Sequence, residues 1–172
     1  FSSMHVEFVS GRIFIEDLKS FLRTIGDLSK ATGCIVQSMN ADKIAGENHL
    51  KFAVAKALRA FEQERNAAKD VGIEIMRYAS GKRQIEEAFS MGVHQGQNNV
   101  VFIVMGEACS VPPCLDMLGQ MVVPADVITY LPSKRDEMIM QFGITADEIE
   151  VVGEQMIPEL VIERVALVDV LK

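Results

Sequence analysis

The chain has no tryptophan, two tyrosines, three histidines and three cysteines among its 172 residues. Each scarcity closes a class of function. His5, His49 and His94 stand far apart and lack the HExxH spacing of a metal-binding helix. Cys34, Cys109 and Cys114 form an odd set without CxxC spacing, so no metal is expected. They read as buried reduced thiols of a cytoplasmic protein, with a Cys109–Cys114 bridge as the alternative. There is no GxSxG elbow, no Rossmann glycine pattern and no GxxxxGK[ST] loop. Nothing pairs a nucleophile with a base, so neither catalysis nor a cofactor is expected. No apolar run approaches the roughly 20 residues of a membrane span. No secretory signal is visible.

What is present is apolar mass and an uneven charge. The chain is 49% hydrophobic, enough to bury the core of one globular domain, expected over residues 4–172. Phe1-Ser2-Ser3 ahead of Met4 reads as an expression remnant and is set aside. Ten methionines suggest an adaptable core or contact surface. The net charge is −7, yet the stretch from Lys30 to Ile85 carries +4, against −1 before it and −10 after it. A basic island in an acidic frame suits a confined anion site; a solvated helix face would look the same.

The hydrophobic spacing predicts an α/β pattern of strands and helices. Strands are expected at His5–Val9, ending at Gly11, and at Cys34–Gln37, Ile73–Tyr78 and Asn99–Met105. Helices are expected at Ile15–Ile25, Ala45–Arg65, Lys82–Met91, near Pro113–Met121, and at Ser133–Phe142. Thr145 with Glu148 is a capping box that opens another helix. The apolar stretch from Leu160 to Leu171 is rich in β-branched residues and reads as either helix or strand.

Two constellations carry the basic island. At 100° per residue, Leu50, Ala53, Val54, Ala57 and Phe61 share the core side of the long helix, and His49, Phe52, Lys56, Arg59 and Gln63 share the opposite stripe. Cations there would neutralise phosphates and rings would stack on unpaired bases; ordinary packing of Phe52 under a neighbour is the bland reading. The second constellation is Tyr78-Ala79-Ser80-Gly81-Lys82-Arg83-Gln84, read as a strand, a glycine turn and a helix start. The unpaired amides of a helix start attract anions, and Lys82 and Arg83 add charge. Glu86-Glu87 and Glu148/Glu150 read as exposed helix charges.

The run Asn40-Ala41-Asp42-Lys43-Ile44-Ala45-Gly46-Glu47-x-His49-Leu50, then Ala57-Leu58-Arg59-Ala60-Phe61, resembles the small kinase-binding subunit of the KEOPS (EKC) complex. The likeness continues through Glu74-Ile75 and Tyr78-Ala79-Ser80-Gly81-Lys82-Arg83-Gln84-Ile85-x-Glu87-Ala88, and returns in Glu159-Leu160-Val161-Ile162-Glu163-Arg164-Val165-Ala166-Leu167-Val168-Asp169-Val170. Between Cys109 and Asp126 there is little pattern to match. The resemblance implies a single domain of α/β (α+β) type, with a mostly antiparallel sheet flanked by helices, and a non-catalytic role in tRNA threonylcarbamoyladenosine modification. The subunit would bind the complex's small atypical kinase/ATPase and grip the unpaired CCA acceptor tail of tRNA. Unpaired RNA can be stacked on rings and read at base edges, which fits the stripe.

The expected RNA-binding residues follow from that overlap. Lys56, Arg59, Lys82 and Arg83 would hold phosphates beside Ser80 and Gly81, His49 and Phe52 would meet bases, and Asn40 and Lys43 would add polar contacts. Met138, Ile139, Phe142, Ile149 and Met156 are expected to face the kinase, as apolar groups near negative charge. A scaffold that ignores RNA and a small phosphate-ligand-binding protein are the competing classes.

Overall fold

The computed structural model describes residues 4–170; Phe1–Ser3, expected to be a remnant, and Leu171 and Lys172 lie outside them. The described chain forms two compact units. One takes the chain up to Ala41 together with Gly92–Val127, and the other takes Asp42–Met91 and the chain from Ile128 onward.

The first unit holds the sheet. Strand β1 (His5–Ile15) and strand β3 (Gly96–Gly106) pair antiparallel along their whole lengths, from His5 opposite Gly106 to Ile15 opposite Gly96. β2 (Ile35–Asn40) lies on the other side of β3, and the two-residue β4 (Val123–Pro124) on the other side of β1. All pairings are antiparallel. Helix α1 (Leu18–Thr32) supplies Phe21, Ile25 and Leu28 to a core shared with Val100, Phe102 and Val104 of β3. Helix α5 (Val111–Met121) adds Val111, Cys114 and Leu118. Val101, Ile103 and Met105, on the opposite face of β3, are buried too, which explains its near-continuous apolar run.

β1 does not stop at Gly11. A Cβ there would lie 2.5 Å from the Val123 carbonyl oxygen, so this glycine permits the approach of β4 rather than a turn. Ile15, expected to start a helix, ends the strand, and α1 begins later because Asp17 caps it by accepting from the Lys19 amide. α1 also passes through Gly26 and ends at Gly33, in the left-handed region at φ 74°. Gly26 is exposed, with no neighbouring atom within 4 Å of where a Cβ would stand, so a side chain there meets open space. Gly26→Ala is expected to raise stability by about 0.5–1 kcal/mol. A urea midpoint that fails to rise would overturn it.

The second unit is helical: α2 (Glu47–Glu62), α3 (Val71–Ser80), α4 (Ile85–Ala88), α6 (Arg135–Phe142), α7 (Ala146–Val152) and α8 (Ile157–Leu167). The segment expected as a strand at Ile73–Tyr78 lies inside α3. Nine of the ten residues of α3 are buried, so no polar face marks its helical period. Asp70 caps it by accepting from the Ile73 amide. The Thr145–Glu148 capping box forms as expected. α8 is a helix despite its β-branched residues. All three cysteines are free; Cys34 and Cys114 are buried, Cys109 is exposed, and the alternative bridge is absent. Among the described residues, no helix is long and apolar enough to cross a membrane.

Candidate anion-binding site

The site is built around both ends of α3. Glu74 is fully buried and accepts the amides of Ala67 and Ala68, each at 3.0 Å. It also takes Arg77 in a two-pronged ion pair, Nε to Oε1 at 2.9 Å and Nη2 to Oε2 at 3.0 Å. Arg77 Nη1 donates onward to the Arg83 carbonyl at 3.1 Å. One buried pair therefore ties the loop before α3 to the loop after it. Burial pushes the Glu74 carboxyl up, but the bonds from Arg77, Ala68 and Ala67 outweigh it and hold the group below the usual range.

Gly81 ends α3 in the left-handed region at φ 69°. A Cβ there would stand 3.0 Å from the Phe142 ring, so glycine serves both the turn and the close approach. Ser80 is buried, donates to the Arg77 carbonyl and accepts from the Lys82 amide. The expected strand–turn–helix start is thus a helix C-terminus. Its carbonyl end disfavours anions, so any attraction here comes from side chains. α4, four residues long, offers no anion site of its own.

Those side chains face two adjoining hollows of about 390 and 460 Å³ that share Arg83, Gln84 and Val168. Arg65, Arg77, Lys82, Arg83 and Arg164 line the combined groove against two carboxylates, Glu87 and Asp169. Most of this charge is committed. Arg77 belongs to Glu74. Arg164 grips Glu148 at 2.6 and 2.8 Å and donates to the carbonyls of Phe142 and Gly143. The Arg164 bonds, helped by the Thr145 amide, hold Glu148 down to about 2. Arg65 contacts Asp169 at 3.0 Å. The side chains of Lys82 and Arg83 have no ion-pair or hydrogen-bond partner among the described residues, their only such bonds being made by the Lys82 amide and the Arg83 carbonyl.

The structure separates the other expected RNA-binding residues. His49 is buried, so it cannot meet a base. Its Nδ1 accepts from the Ala45 amide and its Nε2 donates to the Ala79 carbonyl, both at 2.9 Å. Burial outweighs the Ala79 bond and lowers its pKa to about 4. Angular spacing put it on the outer stripe, but at the third position of α2 it turns back to cap the helix start. Lys56 is bound to Asp169 at 2.5 Å, with its ammonium 5.9 Å from the centre of the half-buried Phe52 ring. Arg59 is exposed on α2 and does not line the groove. Lys43 is held by the Ser90 carbonyl and by Gln141. Asn40 is buried in the first unit and has partners.

The expected partner surface is corrected as well. Met138, Phe142 and Ile149 are buried in the core of the helical unit with Leu160 and Val161, and Ile139 packs against it. Only Met156 is exposed, at 38%. α6 and α7 pack these residues inward, where acidic neighbours in sequence had suggested a surface. The groove residues that sequence reasoning missed are Arg65, Arg77, Arg164 and Asp169. Arg65 looked like a helix end, and Arg77 was hidden in the supposed strand.

Fold and site together define an α+β chain with an open, basic groove on its helical unit. Residues 15–169 match the family described as "Kinase binding protein CGI-121", and the chain belongs to that family. A curated relative is the KEOPS complex subunit Cgi121 of Pyrococcus abyssi (strain GE5 / Orsay), 33% identical over 60 residues. That match covers 34% of this chain and 35% of the relative.

Proposed function

We propose that the protein is a non-catalytic subunit of a KEOPS-type assembly that binds its small atypical kinase and holds the unpaired CCA end of tRNA. The relative's name and the family description support the assembly and the kinase. The observation that carries the nucleic-acid part is the groove in which Lys82 and Arg83 stay free while the cations around them are engaged. Free cations on a fixed loop suit phosphates, which dominate nucleic-acid affinity. The reading also takes the site to be cytoplasmic, where tRNA is modified.

The test is binding to a labelled tRNA, with and without its CCA tail, across a salt series. Loss of binding on removing the tail is expected. Arg83→Ala is expected to weaken binding and to flatten the salt slope by about one phosphate contact. An unchanged slope would remove Arg83 from the interface. Equal binding to both tRNAs would move the contact elsewhere on the RNA, and no binding to either would favour a kinase scaffold that ignores RNA.

A further inference from the structure

Three donors from separate parts of the helical unit converge on one carboxylate. Lys56 Nζ of α2 lies 2.5 Å from Asp169 Oδ2. Arg65 Nη1, in the loop after α2, lies 3.0 Å from Oδ1, and Tyr78 Oη of α3 donates to the same oxygen at 2.5 Å. Arg65 also reaches the Tyr78 hydroxyl at 3.3 Å, so the donors brace one another. Two cations and a hydroxyl around a single carboxylate leave an excess of positive charge and of donors. Asp169 Oδ2 is itself buried and makes an ion pair rather than an aligned hydrogen bond. Asp169 and Val168 line the same groove as Arg83.

We propose that Asp169 fills, from within the chain, a phosphate subsite made by Lys56, Arg65 and Tyr78, and that a ligand phosphate entering the groove takes its carboxylate's place. Phosphate presents more acceptor oxygens than a carboxylate and accepts from both cations and the hydroxyl at once. The exchange swaps one anion for another, so the cations are never left bare. It also gives Lys56, paired with Asp169 in the structure, a direct role in binding. Asp169 is then a competitor that raises the threshold for weakly bound anions. The inference deepens the tRNA reading and rests on it for the identity of the ligand.

The test uses the full chain with Asp169→Ala and the isosteric Asp169→Asn, which keeps the shape and removes the charge. Inorganic phosphate is expected to raise the melting temperature of Asp169→Ala by several degrees over chloride at equal ionic strength, with little effect on the wild type. Adding Lys56→Ala should abolish that rise. With tRNA, both Asp169 variants should bind several-fold tighter than wild type, with a salt slope steeper by about one contact. No phosphate response in either variant overturns the subsite. A phosphate response with unchanged or weaker tRNA binding overturns the displacement. Phosphate stabilisation of the variants alongside a wild type and variants that all ignore tRNA would uphold the subsite and sink the tRNA reading instead.

Discussion

Replacing Arg77 by alanine is expected to cost the fold about 3–5 kcal/mol, the range for removing one partner of a buried ion pair. Glu74 is fully buried and would keep its charge with only the Ala67 and Ala68 amides to hold it. The Arg83 carbonyl would lose its donor as well. The large number comes from the stranded charge, not from the net worth of the pair. Replacing both Glu74 and Arg77 by apolar residues of similar volume should therefore be milder than Arg77→Ala alone. Urea unfolding of the three variants checks this. A single variant within about 1 kcal/mol of wild type would show that water reaches the site and screens the pair.

Mild acid is expected to weaken the helical unit through His49. His49 is lowered from 6.5 to about 4, because burial penalises its charged form. Between those values the unfolded chain binds a proton that the folded chain refuses, so stability falls as pH falls. At 1.36 kcal/mol per pH unit the loss is on the order of 3 kcal/mol between neutral pH and pH 4. Stability above pH 7 should be flat with respect to this group. His49→Gln removes the titration and should flatten the unfolding free energy across that window, whatever its own cost. An identical pH slope in wild type and variant would show that His49 is hydrated or protonated in the fold. Glu74, Glu148 and Asp169, all held below their ordinary values, add losses that begin as pH falls through the ordinary carboxylate range, overlapping the acid end of the His49 window, and deepen below it.

Much of the fold could be read from local chemistry. The Thr145–Glu148 box and the glycine after α6 act within a few residues of where they stand in the chain, so the sequence alone located them. The presence of strands and helices follows from alternating and helical spacing, and the antiparallel sheet from the family resemblance. The errors arose where local signals were weak or ambiguous. α3 is buried nearly all round, and a buried helix shows no period to distinguish it from a buried strand. Gly11 looked like a stop, because the strand that approaches it lies more than a hundred residues further on.

The site was legible only in part. Ser80-Gly81-Lys82-Arg83 was found for its composition, and the structure keeps Lys82 and Arg83 in the groove while changing the reason they are there. The sequence by itself determined the family, the basic island and most helix ends, because these depend on residue type and short spacing. Tertiary structure decided which cations are free. Lys56 and Arg65 meet Asp169 across about a hundred residues of chain, and His49 meets Ala79 across thirty. A charge is committed or available according to what packs against it, and that depends on contacts between segments that no local pattern encodes.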